Sequence, residues 1–172
     1  MDRFEYCLGV ALGFEGGVSN NKADRGGLTN CGVTQRAYDS FRIGKSLQKR
    51  PVTLITDAEI RELYTVGYWL PAKCNVSPPP VDLVLFDVAV NSGPKRAIKM
   101  LQKAMALPDD GSFGPATGKA LSSAEPVQTA LRMLDVREDF YHAIVAADAG
   151  QLVFLKGWLN RTEKLRRIVR GK

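Results

Sequence analysis

Val81-Asp82-Leu83-Val84-Leu85-Phe86-Asp87-Val88-Ala89-Val90-Asn91 carries apolar side chains at eight of eleven positions. On a helical projection these fall nearly all round, the pattern of a helix buried at the centre of a helical core. Ser92-Gly93 ends it, and Pro94, with its fixed φ, suits the first turn of the next helix, where Ala97, Ile98, Leu101 and Met105 make one face. A turn at Pro108-Asp109-Asp110-Gly111 leads through Phe113 to Pro115, which opens a short helix to about Leu121. A longer helix runs from Pro126 to about Ala147, with Leu131, Leu134, Ile144 and Val145 as core candidates. Trp158, Thr162, Leu165 and Val169 then recur at helical spacing. Towards the N-terminus, Pro78-Pro79-Pro80 and Pro71 enforce a loop, preceded by a helix that the capping box Thr56-Asp57-Ala58-Glu59 opens and that reaches about Leu70. Residues 2–14 place Phe4, Cys7, Leu8, Ala11 and Leu12 at helical spacing, with Asp2 at the start and Gly16-Gly17 at the stop. Strand signals are scarce and allow at most a small β-hairpin around residues 18–36. The fold class is mainly α. With 172 residues and 45% hydrophobic content the chain buries one substantial core. We expect a single domain, 1–172, made of two parts, 1–80 and 81–172, packed together.

The net charge of +6 and pI near 9.3 predict attraction to a polyanion: nucleic acid, a membrane surface or bacterial cell wall. Much of the excess lies between residues 161 and 172, where Arg161, Lys164, Arg166, Arg167, Arg170 and Lys172 face only Glu163. That stretch reads as an amphipathic helix with a cationic outer face, either merely solvated or adhering to anionic wall or outer-membrane lipid. No aromatic and glycine signature of an RNA-binding sheet and no recognition helix is apparent, so nucleic acid ranks last among the partners. Cys7, Cys31 and Cys74 leave at least one thiol unpaired and, with the one histidine, His142, make a poor metal set. They read as core or near-core thiols in a reducing cytoplasm, and His142 as a structural histidine in a long helix. The N-terminus lacks a secretory pattern and no stretch reaches membrane-spanning length, so we expect neither a signal peptide nor a transmembrane segment.

Chemistry concentrates in residues 15–34, where Glu15 and Asp24 stand nine positions apart among five glycines. Glu15 closes the first helix, where the exposed carbonyls carry partial negative charge and oppose ionisation; a carboxyl that keeps its proton near neutrality serves as a general acid. Asp24 follows Asn20, Asn21 and Lys22 in a polar stretch that keeps a carboxylate ionised. Such divergent environments for a carboxyl pair are what glycoside hydrolysis needs. Thr29 and Thr34 each offer a hydroxyl able to hold an attacking water, and spacing alone does not choose between them. An exposed helix-end acid and an ordinary turn aspartate explain the same residues without any chemistry. A calcium loop lacks its downstream bidentate Glu, because position 31 is Cys, and no Gly-Lys-Ser/Thr follows the glycines to make a phosphate loop.

Glu15-Gly16-Gly17, Asp24-Arg25-Gly26-Gly27 and Thr29-Asn30-Cys31-Gly32-Val33-Thr34 resemble, together and in order, the signature of glycoside hydrolase family 108, the N-acetylmuramidases of phage endolysins and related lysozyme-like proteins. Tyr68-Trp69-x-Pro71-Ala72 and Phe86-Asp87-x-Ala89-Val90-Asn91-Ser92-Gly93-Pro94 resemble later blocks of that family. Asp110-Gly111-x-Phe113-Gly114-Pro115-x-Thr117 resembles the turn of its peptidoglycan-binding region, although glycine, proline and a packed Phe113 explain that turn without a ligand. The resemblance implies a lysozyme-like helical fold, with Glu15 as general acid and Asp24 as second carboxylate. Four residues separate Asp24 from Thr29 where the broader phage-type pattern has five, so Thr29 and Thr34 both stay candidates for positioning the water. Tyr68 and Asn91 are candidate substrate contacts, by ring stacking and by amide hydrogen bonds, with Trp69 a weaker one.

The resemblance further implies a peptidoglycan-degrading endolysin that cleaves the β-1,4 bond between N-acetylmuramic acid and N-acetylglucosamine. It would use no metal or organic cofactor, act as a monomer on wall glycan strands, and leave the host cytoplasm through a holin-made lesion to reach the periplasm and wall. A lytic transglycosylase and a non-catalytic wall-binding protein are the alternatives. Asp24 argues against the first, which works with one acid.

Overall fold

Helices dominate, and most of the predicted apolar faces are buried. The computed structural model describes residues 2–14 and 29–171, and Glu15 and Asp24 lie outside the described residues. Eight α-helices and one two-stranded hairpin occur among the described residues. The chain divides into two compact units, Met1–Tyr68 and Trp69–Lys172.

In the first unit α1 (Arg3–Phe14) buries Cys7, Leu8 and Ala11, spaced as one helical face requires. The strands β1 (Thr29–Asn30) and β2 (Val33–Thr34) pair antiparallel in the register Thr29 to Thr34 and Asn30 to Val33. Cys31 and Gly32 join them, both at positive φ (49° and 72°), as a two-residue type I′ turn demands. Helix α2 (Gln35–Gly44) follows at once, its N-terminus capped by Thr34, whose Oγ1 accepts the Ala37 N–H at 3.2 Å. Helix α3 (Asp57–Tyr64) starts at the expected capping box, with the Thr56 side chain on the Glu59 N–H and the Glu59 carboxylate on the Thr56 N–H. It continues as a π-helical turn over Thr65–Trp69, so the helical course to about residue 70 is as expected but changes its winding.

The second unit is built round α4 (Val81–Ser92), in which every residue from Val81 to Ala89 is buried. Helices α5 (Pro94–Ala104) and α7 (Pro126–Ala147) pack on it and on each other, and α8 (Leu152–Val169) packs on α7. Leu85, Phe86, Leu101, Met133 and Leu134 are among its wholly buried side chains. Truncating one of these leucines to alanine removes about 2–5 kcal/mol. Leu131, Ile144 and Val145, expected in the core, are only half-buried. Helix α6 (Pro115–Ser123) is joined to α5 by the turn at 108–114, which the buried Gln102 holds. Its amide donates to Asp110 Oδ1, to the Ser112 carbonyl and to Thr117 Oγ1, while its carbonyl accepts the Gly111 N–H. Gly111 has φ +78°, and a Cβ there would lie 2.7 Å from Lys95 Cγ, so glycine is required where the turn folds onto α5. The Asp110-Gly111-Ser112-Phe113 motif thus has a complete structural explanation.

Helix α8 buries Thr162, Leu165 and Val169 as its spacing predicts. Its outer face is less cationic than its composition, because Arg161 pairs with Asp87, Arg166 with Asp135 and Glu138, and Arg167 with Glu163. His142 lies on α7, as expected, but is exposed rather than packed. Cys7 and Cys74 are buried and Cys31 half-buried. No helix of the described residues is long and apolar enough to cross a membrane.

Candidate active site

The expected general acid, Glu15, follows directly on Phe14, the last residue of α1, and the expected water-positioning residues, Thr29 and Thr34, are the outer pair of the hairpin. A two-residue hairpin has little stability of its own, so other groups must fix it. Tyr64, only 1% exposed, donates its hydroxyl to the Cys31 carbonyl at 2.9 Å and so holds the turn from α3. Asn30 Nδ2 donates to the Val52 carbonyl at 3.3 Å. Gln35 clamps the same neighbouring segment from both sides, donating to the Arg50 carbonyl at 2.9 Å and accepting the Val52 N–H at 2.7 Å. The end of the chemistry-bearing segment therefore enters a rigid framework at Thr29, the residue whose backbone pairs with Thr34. The Thr34 hydroxyl accepts the Ala37 N–H as the cap of α2 and keeps its proton and one lone pair for another partner.

That framework has an ionic support. Glu59 accepts from the Tyr38 hydroxyl at 2.8 Å and pairs with Arg42 and Arg50. Partial burial pushes the Glu59 carboxyl up, but the Thr56 N–H, the Tyr38 hydroxyl and the Arg50 guanidinium outweigh it and hold the group down at about 2. Arg50 Nε also donates to the Tyr38 hydroxyl at 2.6 Å, which raises its own pKa. Tyr38 is wholly buried, so α2, α3 and the segment 50–52 meet at one satisfied polar centre.

Tyr68 is half-buried, with its ring centroid 5.5 Å from that of Tyr64 at a 44° tilt, and burial raises its hydroxyl above the ordinary value, so it is a neutral donor at physiological pH. Tyr68 and the hairpin are thus linked through Tyr64. Trp69 is buried and meets Phe86 edge-on at 5.4 Å, a packing role. Asn91 belongs to the second unit, where it is exposed and donates Nδ2 to the Asp87 carbonyl at 2.7 Å. It borders a hollow of about 290 Å³ shared with Ser92, Arg96, Phe140, Tyr141 and Trp158.

Sequence reasoning missed Tyr64 as the anchor of the turn and Asp87 as a buried ion. Asp87 is 0% exposed, receives Arg137 Nη1 at 2.6 Å and Arg161 Nη2 at 2.7 Å, and so ties α4 to α7 and α8. An aspartate inside an otherwise apolar helix was a visible signal that a cation had to reach it.

Residues 8–93, half of the chain, match the family model described as Glycosyl hydrolase 108, and residues 96–163 match one described as Predicted Peptidoglycan domain. Among solved structures, the one described as "Structure of Brucella abortus SagA" is similar with a TM-score of 0.83 and 28% identity, over 98% of this chain and 94% of that one. No curated protein gives a significant match. The chain therefore belongs to the glycosyl hydrolase 108 family, as a glycoside hydrolase acting on peptidoglycan.

Proposed function

We propose that the protein is an N-acetylmuramidase that hydrolyses the β-1,4 bond between N-acetylmuramic acid and N-acetylglucosamine, in the manner of a phage endolysin. The family match over residues 8–93 carries the proposal, because that span includes both Glu15 and Asp24 and the threonines that follow. Glu15 donates its proton to the glycosidic oxygen as the bond to C1 of the muramyl residue breaks. Water adds to that carbon, and its proton passes to Asp24, which also offsets the positive charge of the oxocarbenium-like transition state. Thr29 or Thr34 holds the water. The Thr34 hydroxyl also caps α2 and still has its proton and one lone pair for the water. Tyr68 and Asn91 are proposed substrate contacts. Release from the producing cell through a lesion made by another protein completes the endolysin assignment. Glu15→Gln tests the chemistry: lysis of purified wall sacculi is expected to fall by at least about a thousandfold, with thermal stability unchanged. Retained lysis would remove Glu15 as the acid.

A further inference from the structure

Three hollows open beside α5 in the second unit, two of them also lined by α7, and Arg96 lines every one of them. The first, about 290 Å³, has Lys99, Lys103, Asp109 and Asp139 among its polar groups and Met100 and Val136 among its apolar ones. A second carries Asn91, Tyr141 and Trp158, and the third is bounded only by Ser92, Lys95, Arg96 and Lys99. The Arg96 guanidinium stands 4.7 Å from the Phe140 ring centroid, a cation–π contact that orients the fork while leaving the side chain exposed. Lys103 is 3.5 Å from Asp109, but Lys95, Arg96 and Lys99 form no ion pair among the described residues. On α8, by contrast, Arg161, Arg166 and Arg167 are each engaged by a carboxylate. Positive charge with no carboxylate in ion-pair contact therefore lies on α5 beside a concave, partly apolar surface; Lys95 and Lys99 also act on Asp110, and Asp109 and Asp139 line the first hollow, so the local excess is three cations tempered by nearby acids.

We propose that this α5–α7 groove binds short carboxylate-bearing peptides, the chemistry of the stem peptides of the bacterial wall, and so supplies the second unit's hold on the substrate. The proposal rests on peptidoglycan as the substrate. Arg96 grips a carboxylate with its planar fork, Lys95 and Lys99 add charge at one end, and Met100 and Val136 take aliphatic segments. Neutral sugar rings give such a cluster of cations nothing to pair with, whereas each stem peptide presents several carboxylates.

The test is a calorimetric titration of the full chain at low salt with the synthetic peptide L-Ala-γ-D-Glu-meso-diaminopimelyl-D-Ala and with the same peptide amidated at its carboxyl groups. The acidic peptide is expected to bind and its amidated form to bind at least tenfold more weakly. Arg96→Glu and, independently, Lys99→Glu are expected to weaken the acidic peptide at least tenfold, while Lys119→Glu, the same charge change on exposed α6, leaves it within twofold. Equal binding of the two peptides, no binding at all, or full affinity in both groove variants would overturn the proposal. Sacculus hydrolysis by the same wild-type preparation keeps the two ideas apart. Peptide binding without hydrolysis sinks the muramidase assignment alone, and hydrolysis without peptide binding sinks the groove alone.

Discussion

Asp87 shows how much a single buried charge governs here. Two guanidinium groups converge on it, and Arg137 Nε further donates to the Tyr141 hydroxyl at 2.6 Å, leaving Arg137 Nη2 as a buried donor without a partner. Removing the anion strands two cations in a low-dielectric interior. Asp87→Ala is therefore expected to destabilise the second unit by about 3–5 kcal/mol, read as a melting temperature lower by roughly 10 °C or more. An unchanged melt would mean that the arginines find other partners. Glu59 makes the opposite case, a carboxylate held at about 2 against an ordinary 4.5. Because the folded value is depressed, its contribution to stability is complete above about pH 4.5 and drains away as the pH falls towards 2. Melting curves between pH 2 and 6 should show this slope in the wild type and a flatter one in Glu59→Gln, which should also be less stable at pH 7. Identical slopes would deny Glu59 that role. Both residues were visible in the sequence, but their partners were not. The cations of Asp87 lie 50 and 74 positions away, and Tyr38 is 21 positions from Glu59.

Among the elements, the β1–β2 hairpin depends most on its neighbours. Tyr64→Phe deletes the hydroxyl that meets the Cys31 carbonyl and is expected to cost about 1–2 kcal/mol. If Tyr64 positions the active segment, the rate on wall substrate should fall through kcat with KM nearly unchanged; loss confined to stability would make it merely structural. The helices with strong punctuation were legible: Thr56 and Glu59 at α3, Pro94 at α5, Pro115 at α6, Pro126 at α7. Helix α2 was not, because Gln35–Gly44 is largely polar and buries only Tyr38, so no apolar stripe announces it. Its one local signal is the cap at Thr34, a residue read for its chemistry instead. The basic stretch at the end of the chain is more heavily paired than its composition suggests, for a related reason. Charge counted along α8 ignores Asp87, Asp135 and Glu138, which reach it from α4 and α7. Neutralising Arg166 should accordingly lower the melting temperature by a few degrees, where a purely solvated arginine would leave it unchanged.

For the molecule as a whole, a mainly α fold with one small hairpin was readable because hydrophobic period, capping and proline placement all agree. The family was readable because glycine pairs, both acids and the hairpin threonines occur together in a short span. What pattern could not supply was the support of the hairpin by Tyr64 and Gln35, and the groove on α5, since both depend on contacts distant in sequence. The central claim is hydrolysis of the muramyl bond by a proton donor and a carboxylate, and the products report on it. Purified sacculi digested in ¹⁸O-enriched water, then separated and weighed, are predicted to yield muramyl reducing ends carrying one heavy oxygen. Anhydromuramyl ends without the label, or labelled ends at N-acetylglucosamine instead, would contradict the account.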